Sequence, residues 1–193
     1  MDIKAVIFDC YGVFYIDPIF AYLNDPDSSP KIAQELHDLD KQMVKGMITK
    51  SEFKTRITKL FNLSEKETHQ LFFAPSARNV SLLEYAQTLR NKYKVAMLSN
   101  VGSGAMDEYF TKAERKEYFD AVVLSGDVGI AKPDPRIFKL ICKNLGVETH
   151  EAIMIDDLPD FCEGARAAGL QAIVYRTNEQ IKKDLELILH ASN

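Results

Sequence analysis

Cysteine is scarce in this sequence of 193 residues, and the pattern of the few present argues against two kinds of cross-linked domain. The three cysteines, Cys10, Cys142 and Cys162, lie far apart and form no C-x-x-C pair. Disulfide frameworks typically use an even number of cysteines, and thiolate zinc sites use paired ones. We therefore expect neither feature, and a reducing, cytoplasmic environment fits the chain best.

Long apolar runs and an excess of positive charge are also missing. No apolar run approaches the roughly 20 residues that a transmembrane helix requires. The chain has 24 Lys+Arg against 28 Asp+Glu, a formal net charge of −4, which argues against general binding of polyanions. The N-terminal residues lack the basic leader of a targeting peptide. We expect no targeting segment, no nucleic-acid partner and no membrane partner.

The composition is that of an ordinary globular protein, with 46% hydrophobic and 27% charged residues. A chain of this length can bury roughly 70% of the surface that it exposes when unfolded. It therefore needs neither a disulfide nor a structural metal to form a core. We expect one domain with an insert, and the sequence makes no prediction about the oligomeric state.

Five short apolar runs predict buried β-strands. Most are continuously apolar, which is typical of a parallel sheet covered by helices on both faces. Helical patterns separate the later runs; Asp134 and Pro135, for example, predict the start of a helix that ends at Gly146. We predict an α/β fold with a doubly wound, Rossmann-like, five-stranded parallel sheet. The predicted strands are Lys4 to Asp9, Val95 to Ser99, Ala121 to Leu124, Ala152 to Asp156 and Gln171 to Tyr175.

The first two predicted strands, which end at Asp9 and begin at Val95, are separated by far more residues than one crossover helix uses. Helix-start signals fall in this stretch at Pro30, at Ser51 and at a capping box that begins at Ser64. The sequence therefore predicts a small all-helical subdomain at residues 14–75, inserted into an α/β core domain of residues 1–13 and 76–193.

Polar side chains close or follow four of the predicted strands, where ligands bind in open α/β sheets. Each residue taken singly is explained by a turn or a helix cap, but together they form a set with one chemistry. Carboxylates are ligands that Mg²⁺ prefers, and hydroxyl, amide and ammonium groups donate hydrogen bonds to phosphate oxygens. These residues are Asp9, Ser99, Asn100, Lys132, Asp156 and Asp157.

Four motifs, FDCYGV, LSN, IAKPDPRIF and IDDLPD, resemble in order and spacing the motifs of the haloacid dehalogenase-like hydrolase superfamily. The predicted helical insert resembles the cap of that superfamily's phosphatase branch, so the resemblance covers nearly the whole chain. It implies a Mg²⁺-dependent phosphohydrolase that acts on a small phosphorylated metabolite. It also implies that the cap closes over the site to exclude water and select the substrate.

The resemblance assigns a role to each motif residue. Asp9 is the expected nucleophile, which forms an aspartyl-phosphate that water later cleaves. Asp160 is expected to orient Lys132 or metal-bound water from a second layer of contacts. The expected Mg²⁺ ligands are Asp9, Asp156, Asp157 and the backbone carbonyl of Tyr11. The residues expected to bind the transferring phosphoryl group are Ser99, Asn100 and Lys132.

Tyr11 departs from the phosphatase pattern, which usually has a second carboxylate two residues after the nucleophile. A tyrosine hydroxyl titrates near pH ~10, so it can donate a proton but is a poor base at neutral pH. The same D-x-Y-G arrangement resembles the superfamily's metal-free dehalogenases. Those enzymes lack the acidic pair of the fourth motif and use an early arginine, whereas the first arginine here is Arg56. Two alternatives stay open: a metal-independent 2-haloacid dehalogenase, and a non-catalytic phosphometabolite-binding or interaction protein.

Overall fold

A computed structural model describes residues 2–15, 18–23, 28–44, 47–73, 78–102 and 105–190. Its strands form one five-stranded sheet in the order β3-β2-β1-β4-β5, and every neighbouring pair is parallel. The predicted fold class is therefore confirmed. The strands are β1 (Ala5–Phe8), β2 (Lys94–Ser99), β3 (Ala121–Leu124), β4 (Ala152–Asp156) and β5 (Gln171–Val174).

Helices connect the strands and also build the insert that follows β1. In addition to the α-helices, Ala105–Glu108 and Thr149–Glu151 form 3₁₀ turns and His69–Phe73 forms a π-helical turn. No helix in these described ranges is long and apolar enough to cross a membrane. The α-helices are α1 (Pro18–Leu23), α2 (Pro30–Val44), α3 (Lys50–Leu60), α4 (Glu65–Thr68), α5 (Val80–Leu89), α6 (Lys112–Tyr118), α7 (Ser125–Val128), α8 (Pro135–Leu145), α9 (Pro159–Ala167) and α10 (Asn178–His190).

The sheet separates two hydrophobic cores, because successive side chains of a strand point to opposite faces. In β1, Val6 and Phe8 pack in one core with residues of α5 and α10. Ala5 and Ile7 pack in the other core with residues of α8 and α9. The strand order puts β1 at the centre of the sheet, between β2 and β4. Because the strands are parallel, the carboxyl ends of these three lie side by side.

The chain divides into a larger unit of residues 1–15 and 79–193 and a smaller unit of residues 16–78. The smaller unit has its own core, built on Leu36, Phe53 and Ile57. The predicted insert began at residue 14, but Phe14 is fully buried in the core of the larger unit, beside Phe8. The other predicted boundary, at Pro75, lies outside the described residues.

The helix starts of the insert follow its capping residues. Helix α2 begins at Pro30, as predicted. The capping box of Ser64 and Glu67 opens α4, also as predicted. The predicted start at Ser51 is wrong, because Thr49 and Glu52 form the capping box that opens α3. The spacing of Thr49 and Glu52 gives both exposed N–H groups a side-chain acceptor, and this decides the first turn.

Candidate active site

Asp9 lies directly after the central strand, with its carboxylate held at one oxygen. Its N–H donates to the carbonyl of Ile155 at 2.9 Å, so the residue remains tied to β4. Oδ1 accepts the N–H of Cys10 at 2.6 Å and lies 3.0 Å from the Lys132 ammonium. Within the described ranges, Oδ2 accepts no hydrogen bond. The buried carboxylate therefore has one fixed oxygen and one oxygen available to react.

Lys132 joins two carboxylates in the interior of the site. Its Nζ lies 3.0 Å from Asp9 Oδ1 and 2.6 Å from Asp156 Oδ2, and its side chain is fully buried. The ring of Phe161 covers another side of the ammonium, with its centroid 4.9 Å from Nζ. Burial by itself lowers the pKa of Lys132, but Asp9 and Asp156 outweigh burial and raise that pKa above its ordinary value. The ammonium therefore stays charged.

The backbone around Lys132 is fixed from two sides. The Asn100 side chain accepts the N–H of Lys132 at 2.8 Å and donates to its carbonyl at 2.9 Å. On the other side α9 approaches closely, because a Cβ on Gly164 would lie only 2.6 Å from the carbonyl oxygen of Pro133. Asn100 at the end of β2 and Gly164 in α9 thus set the position of the lysine.

The acidic pair at the end of β4 has two different environments. Both carboxylate oxygens of Asp156 have a protein partner, since Oδ2 pairs with Lys132 and Oδ1 accepts the N–H of Leu158 at 3.0 Å. Asp157 is only 6% exposed and accepts no hydrogen bond from another residue within the described ranges. Burial, together with the charges of Asp9 and Asp156, raises the pKa of Asp157 to about 7. An unpartnered buried carboxylate is costly unless a cation balances it.

Gly12 allows the chain after Asp9 to pass against Asp157. Its φ is +77°, a conformation that favours glycine, and a Cβ at this position would lie 2.3 Å from Asp157 Cγ. No side chain fits between this backbone and the carboxylate. The turn that carries Tyr11 and Gly12 is therefore in direct contact with the acidic pair.

The carboxylate cluster and Ser99 fit a divalent cation and a phosphoryl group. Asp9, Asp156 and Asp157 each offer an oxygen, and these atoms lie within 4.8 Å of one another. Carboxylate oxygens around a small space suit Mg²⁺. Ser99 Oγ is buried and makes no hydrogen bond within the described part of the chain, so it has an unused donor at the end of β2.

Tyr11 is half-buried among aromatic side chains. Its ring packs edge-on against that of Tyr109, with centroids 4.9 Å apart. The backbones of Tyr11 and Tyr15 form a parallel bridge, and the Tyr15 hydroxyl donates to the carbonyl of Tyr109 at 2.9 Å. The residue in the place of the usual second carboxylate therefore lies in a packed aromatic group.

The structure brings the motif residues together, but their contacts refine the predicted roles. Asp160 is exposed and makes no ion pair with Lys132, whose orientation is set by Asp9 and Asp156. The structure does not support that half of the Asp160 prediction; its role toward metal-bound water stays a prediction. The Asn100 amide holds the backbone of Lys132, so its contact with a phosphoryl group also stays a prediction.

The sequence reasoning missed Phe161 and Gly12. The signal for Gly12 was its place in D-x-Y-G beside the predicted nucleophile. Phe161 gave no signal, because its contact with Lys132 joins segments that only the fold brings together.

The chain is similar to known proteins both in sequence and in fold. A family model described as haloacid dehalogenase-like hydrolase matches residues 3–169. Acyl-CoA dehydrogenase family member 10 of Mus musculus is 29% identical over 218 residues, which cover 96% of this chain but only 19% of that protein. Phosphorylated carbohydrates phosphatase of Thermotoga maritima is 24% identical, over 88% of this chain and 83% of that protein. A HAD family enzyme from Bacteroides thetaiotaomicron, solved as its magnesium complex, is 25% identical with a TM-score of 0.55, over 96% of this chain and 99% of that one.

Proposed function

The chain belongs to the haloacid dehalogenase-like hydrolase family, and we propose that it is a Mg²⁺-dependent phosphohydrolase of a small phosphorylated metabolite. One observation carries the proposal: three buried carboxylates converge beside one buried ammonium, and one of them, Asp157, has no partner among the described residues to balance its charge. The similarity to a phosphorylated carbohydrates phosphatase supports the same class of substrate.

The metal would be held by Asp9, Asp157 and the backbone carbonyl of Tyr11, with Asp156 at the edge of the site because Lys132 already occupies its Oδ2. When bound, Mg²⁺ supplies positive charge that offsets the repulsion between the substrate phosphate and the aspartates. The three carboxylates lie together without the metal, and Asp157 is buried there with no partner among the described residues.

We infer the following steps for the side chains. Asp9 Oδ2, the oxygen without a hydrogen bond among the described residues, attacks phosphorus, and the ester oxygen leaves with the bonding electron pair and takes a proton from solvent water. Lys132 and the Ser99 hydroxyl donate hydrogen bonds to the transferring phosphoryl oxygens. Water then attacks phosphorus in the aspartyl-phosphate, which releases inorganic phosphate and restores the Asp9 carboxylate. The ammonium beside Oδ1 stabilises Asp9 as an anion before and after the reaction.

The smaller unit of residues 16–78 is proposed to act as the cap that selects the substrate. Tyr11 favours a second candidate, a 2-haloacid dehalogenase in which Asp9 attacks carbon and halide leaves. Asp157, which has no partner in the described part of the chain, argues against that candidate, because metal-free chemistry has no use for a third buried carboxylate. A non-catalytic phosphometabolite-binding protein is the remaining alternative, since Tyr11 is a poor base.

A direct assay separates these candidates. The purified protein is tested on a panel of phosphoesters and 2-haloacids, each with Mg²⁺ or with excess chelator, and Asp9→Asn is the matched control. We expect phosphate release that requires Mg²⁺ and is lost in Asp9→Asn. Halide release in chelator would support the dehalogenase. Beryllium fluoride with Mg²⁺ should raise the Tm of the wild type but not of Asp9→Asn, whereas a protein that only binds phosphometabolites should hydrolyse none of the panel.

A further inference from the structure

Asn79 lies where the chain returns from the smaller unit to the larger one, and it is only 6% exposed. Its side chain accepts the N–H of Leu82 at 3.3 Å and so caps α5. A helix cap needs only an acceptor oxygen. The amide nitrogen of Asn79 is therefore not required for capping, yet it is buried and has hydrogen-bond acceptors of its own.

This amide nitrogen connects its own segment to two others that are distant in sequence, one with Val13 and one with Tyr175 and Asn178. It lies 3.0 Å from the carbonyl of Val13, 2.9 Å from the hydroxyl of Tyr175 and 2.9 Å from Asn178 Oδ1. The Asn178 amide donates back to Asn79 Oδ1 at 2.9 Å, and the Tyr175 hydroxyl donates to Asn178 Oδ1 at 2.8 Å. We call these three residues, Asn79, Tyr175 and Asn178, the amide clamp. Buried networks whose members are all satisfied hold their parts rigidly.

The amide clamp grips the turn that follows the nucleophile. Besides the bond to the Val13 carbonyl, the backbone N–H of Asn79 donates to the carbonyl of Phe14 at 2.8 Å. The turn is also closed on itself, because the N–H of Tyr15 donates to the carbonyl of Cys10 at 2.8 Å. Two successive carbonyls of this turn are therefore fixed by one residue that lies outside all four motifs.

The opposite side of the same turn faces the acidic pair. Gly12, next to Val13, passes so close to Asp157 that a Cβ would overlap its carboxyl group. A shift of the Val13 carbonyl therefore moves Gly12 relative to Asp157, and with it the backbone carbonyl of Tyr11. The clamp and the close approach at Gly12 hold the turn from its two sides.

We propose that Asn79 is a positioning residue for the metal site, which acts through Val13 and Phe14 to fix the Tyr11 carbonyl relative to Asp157. This inference rests on the proposed function, because it assumes that the cluster binds Mg²⁺. Partners that orient metal ligands typically contribute roughly 10-fold to 100-fold to metal affinity. Asn79 acts one step further from the metal, because its hydrogen bonds reach the carbonyls of Val13 and Phe14 and not the ligands themselves.

The test is the affinity of the full-length protein for Mg²⁺ alone, measured by isothermal titration calorimetry well below the Tm. Asn79→Ser keeps an oxygen that can cap α5 but removes the N–H groups that reach Val13 and Tyr175. We expect its Mg²⁺ dissociation constant to rise by about 10-fold. Tyr175→Phe keeps the Asn79 bond to Val13 and loses one clamp member, so we expect a smaller rise in the same direction.

Thr111→Ala is the matched control, since it removes the exposed cap of α6 and leaves the clamp intact. It should lower the Tm without changing Mg²⁺ affinity. Saturating Mg²⁺ should restore kcat in Asn79→Ser if the defect lies in metal affinity. An unchanged Mg²⁺ affinity in Asn79→Ser overturns this inference and leaves the proposed function standing. A wild-type protein that binds no Mg²⁺ overturns both.

Discussion

Gly12 shows how a single missing side chain shapes the site. Its replacement by alanine puts a Cβ 2.3 Å from Asp157 Cγ and forces a left-handed conformation at φ +77°. We expect Gly12→Ala to fold, to bind Mg²⁺ at least about 10-fold more weakly and to lose hydrolysis, because the turn must move away from Asp157.

Gly129→Ala provides the control for this prediction. Gly129 has φ +68°, but no atom of the described residues lies within 4 Å of the point that a Cβ would occupy, so alanine there carries only the conformational penalty, about 1 kcal/mol. Calorimetric titration with Mg²⁺ should separate the two variants. Equal Mg²⁺ affinities in both would show that contact with Asp157 is not what requires glycine at position 12.

Tyr11→Asp tests the missing acid and base. A general acid or base typically contributes about 10² to 10⁴ in rate, so we expect slow wild-type turnover that favours aryl phosphates, whose leaving groups need little protonation. The aspartate keeps the backbone carbonyl and adds a group ionised at neutral pH. We expect it to raise kcat/KM for alkyl phosphates more than for aryl phosphates. A folded Tyr11→Asp variant without any gain on alkyl phosphates would show that another group moves the proton.

The sequence predicted where the charged residues of the site would meet, because the carboxyl ends of parallel strands lie at one edge of the sheet, whereas their catalytic and metal-binding roles stay predictions. Asp9, Lys132, Asp156 and Asp157 do converge, because their spacing follows from the parallel sheet. The partners that set their orientation were not predictable. The Phe161 ring and the Asn79 amide act through distances between segments that the order of residues does not encode.

Helix α9 can pack closely against the segment that contains Pro133 because Gly164 has no side chain. A Cβ on Gly164 would lie 2.6 Å from the Pro133 carbonyl oxygen and 2.7 Å from Pro133 Cβ. Alanine is favoured over glycine within helices by about 1 kcal/mol, but this overlap with backbone outweighs the gain. We expect Gly164→Ala to lower the Tm and to weaken phosphate binding, because α9 and the Lys132 turn must separate.

Glu163→Ala, on the same turn of α9, is the matched control. Glu163 is exposed and pairs with Arg166 at the surface, an interaction worth well under about 1 kcal/mol. Differential scanning calorimetry with and without inorganic phosphate measures both effects. If Gly164→Ala matched Glu163→Ala in Tm and in the phosphate-induced shift, the packing of α9 on Pro133 would not matter for the site.

Most elements were predictable because their start and stop signals are local. The Asp134 cap, Pro135 and Gly146 bound α8 as expected. The start of α3 was misplaced, since Ser51 and Thr49 are both good caps and only Thr49 has Glu52 three residues later. The predicted beginning of the insert was misplaced because an apolar residue such as Phe14 could belong to the core of either unit. In the structure Phe14 is buried beside Phe8, in the core of the larger unit.

For the whole molecule, Asp157 makes stability without metal depend on pH. Its pKa is about 7 in the folded protein against an ordinary 3.8, so the folded state binds this proton more tightly than the unfolded state. The contribution of this proton to the free energy of unfolding is fully present below about pH 4 and is lost as pH rises through about 7. Its size is about 1.4 kcal/mol for each unit by which the two pKa values differ. We expect the Tm in chelator to fall between about pH 4 and pH 7.

Excess Mg²⁺ should reverse this trend, because a cation favours the ionised carboxylate. Asp157→Asn removes the titrating proton while nearly preserving the shape of the side chain, and its Tm in chelator should change less over the same range. Calorimetric scans at several pH values compare the two proteins. Parallel pH profiles for wild type and Asp157→Asn would assign the effect to another group.

The position of the insert, in the connection between β1 and β2, has a consequence for how the chain folds. Ala5 of β1 pairs with Lys94 on one side and with Ala152 on the other. The central strand therefore cannot pair with β2 or β4 until segments distant in sequence have come together. Such non-local pairing slows folding. The entropy lost on closing a connection grows only with the logarithm of its length, about 0.6 kcal/mol for each doubling. A long excursion between these strands therefore delays the completion of the sheet but costs little equilibrium stability, so this connection tolerates inserts of very different length.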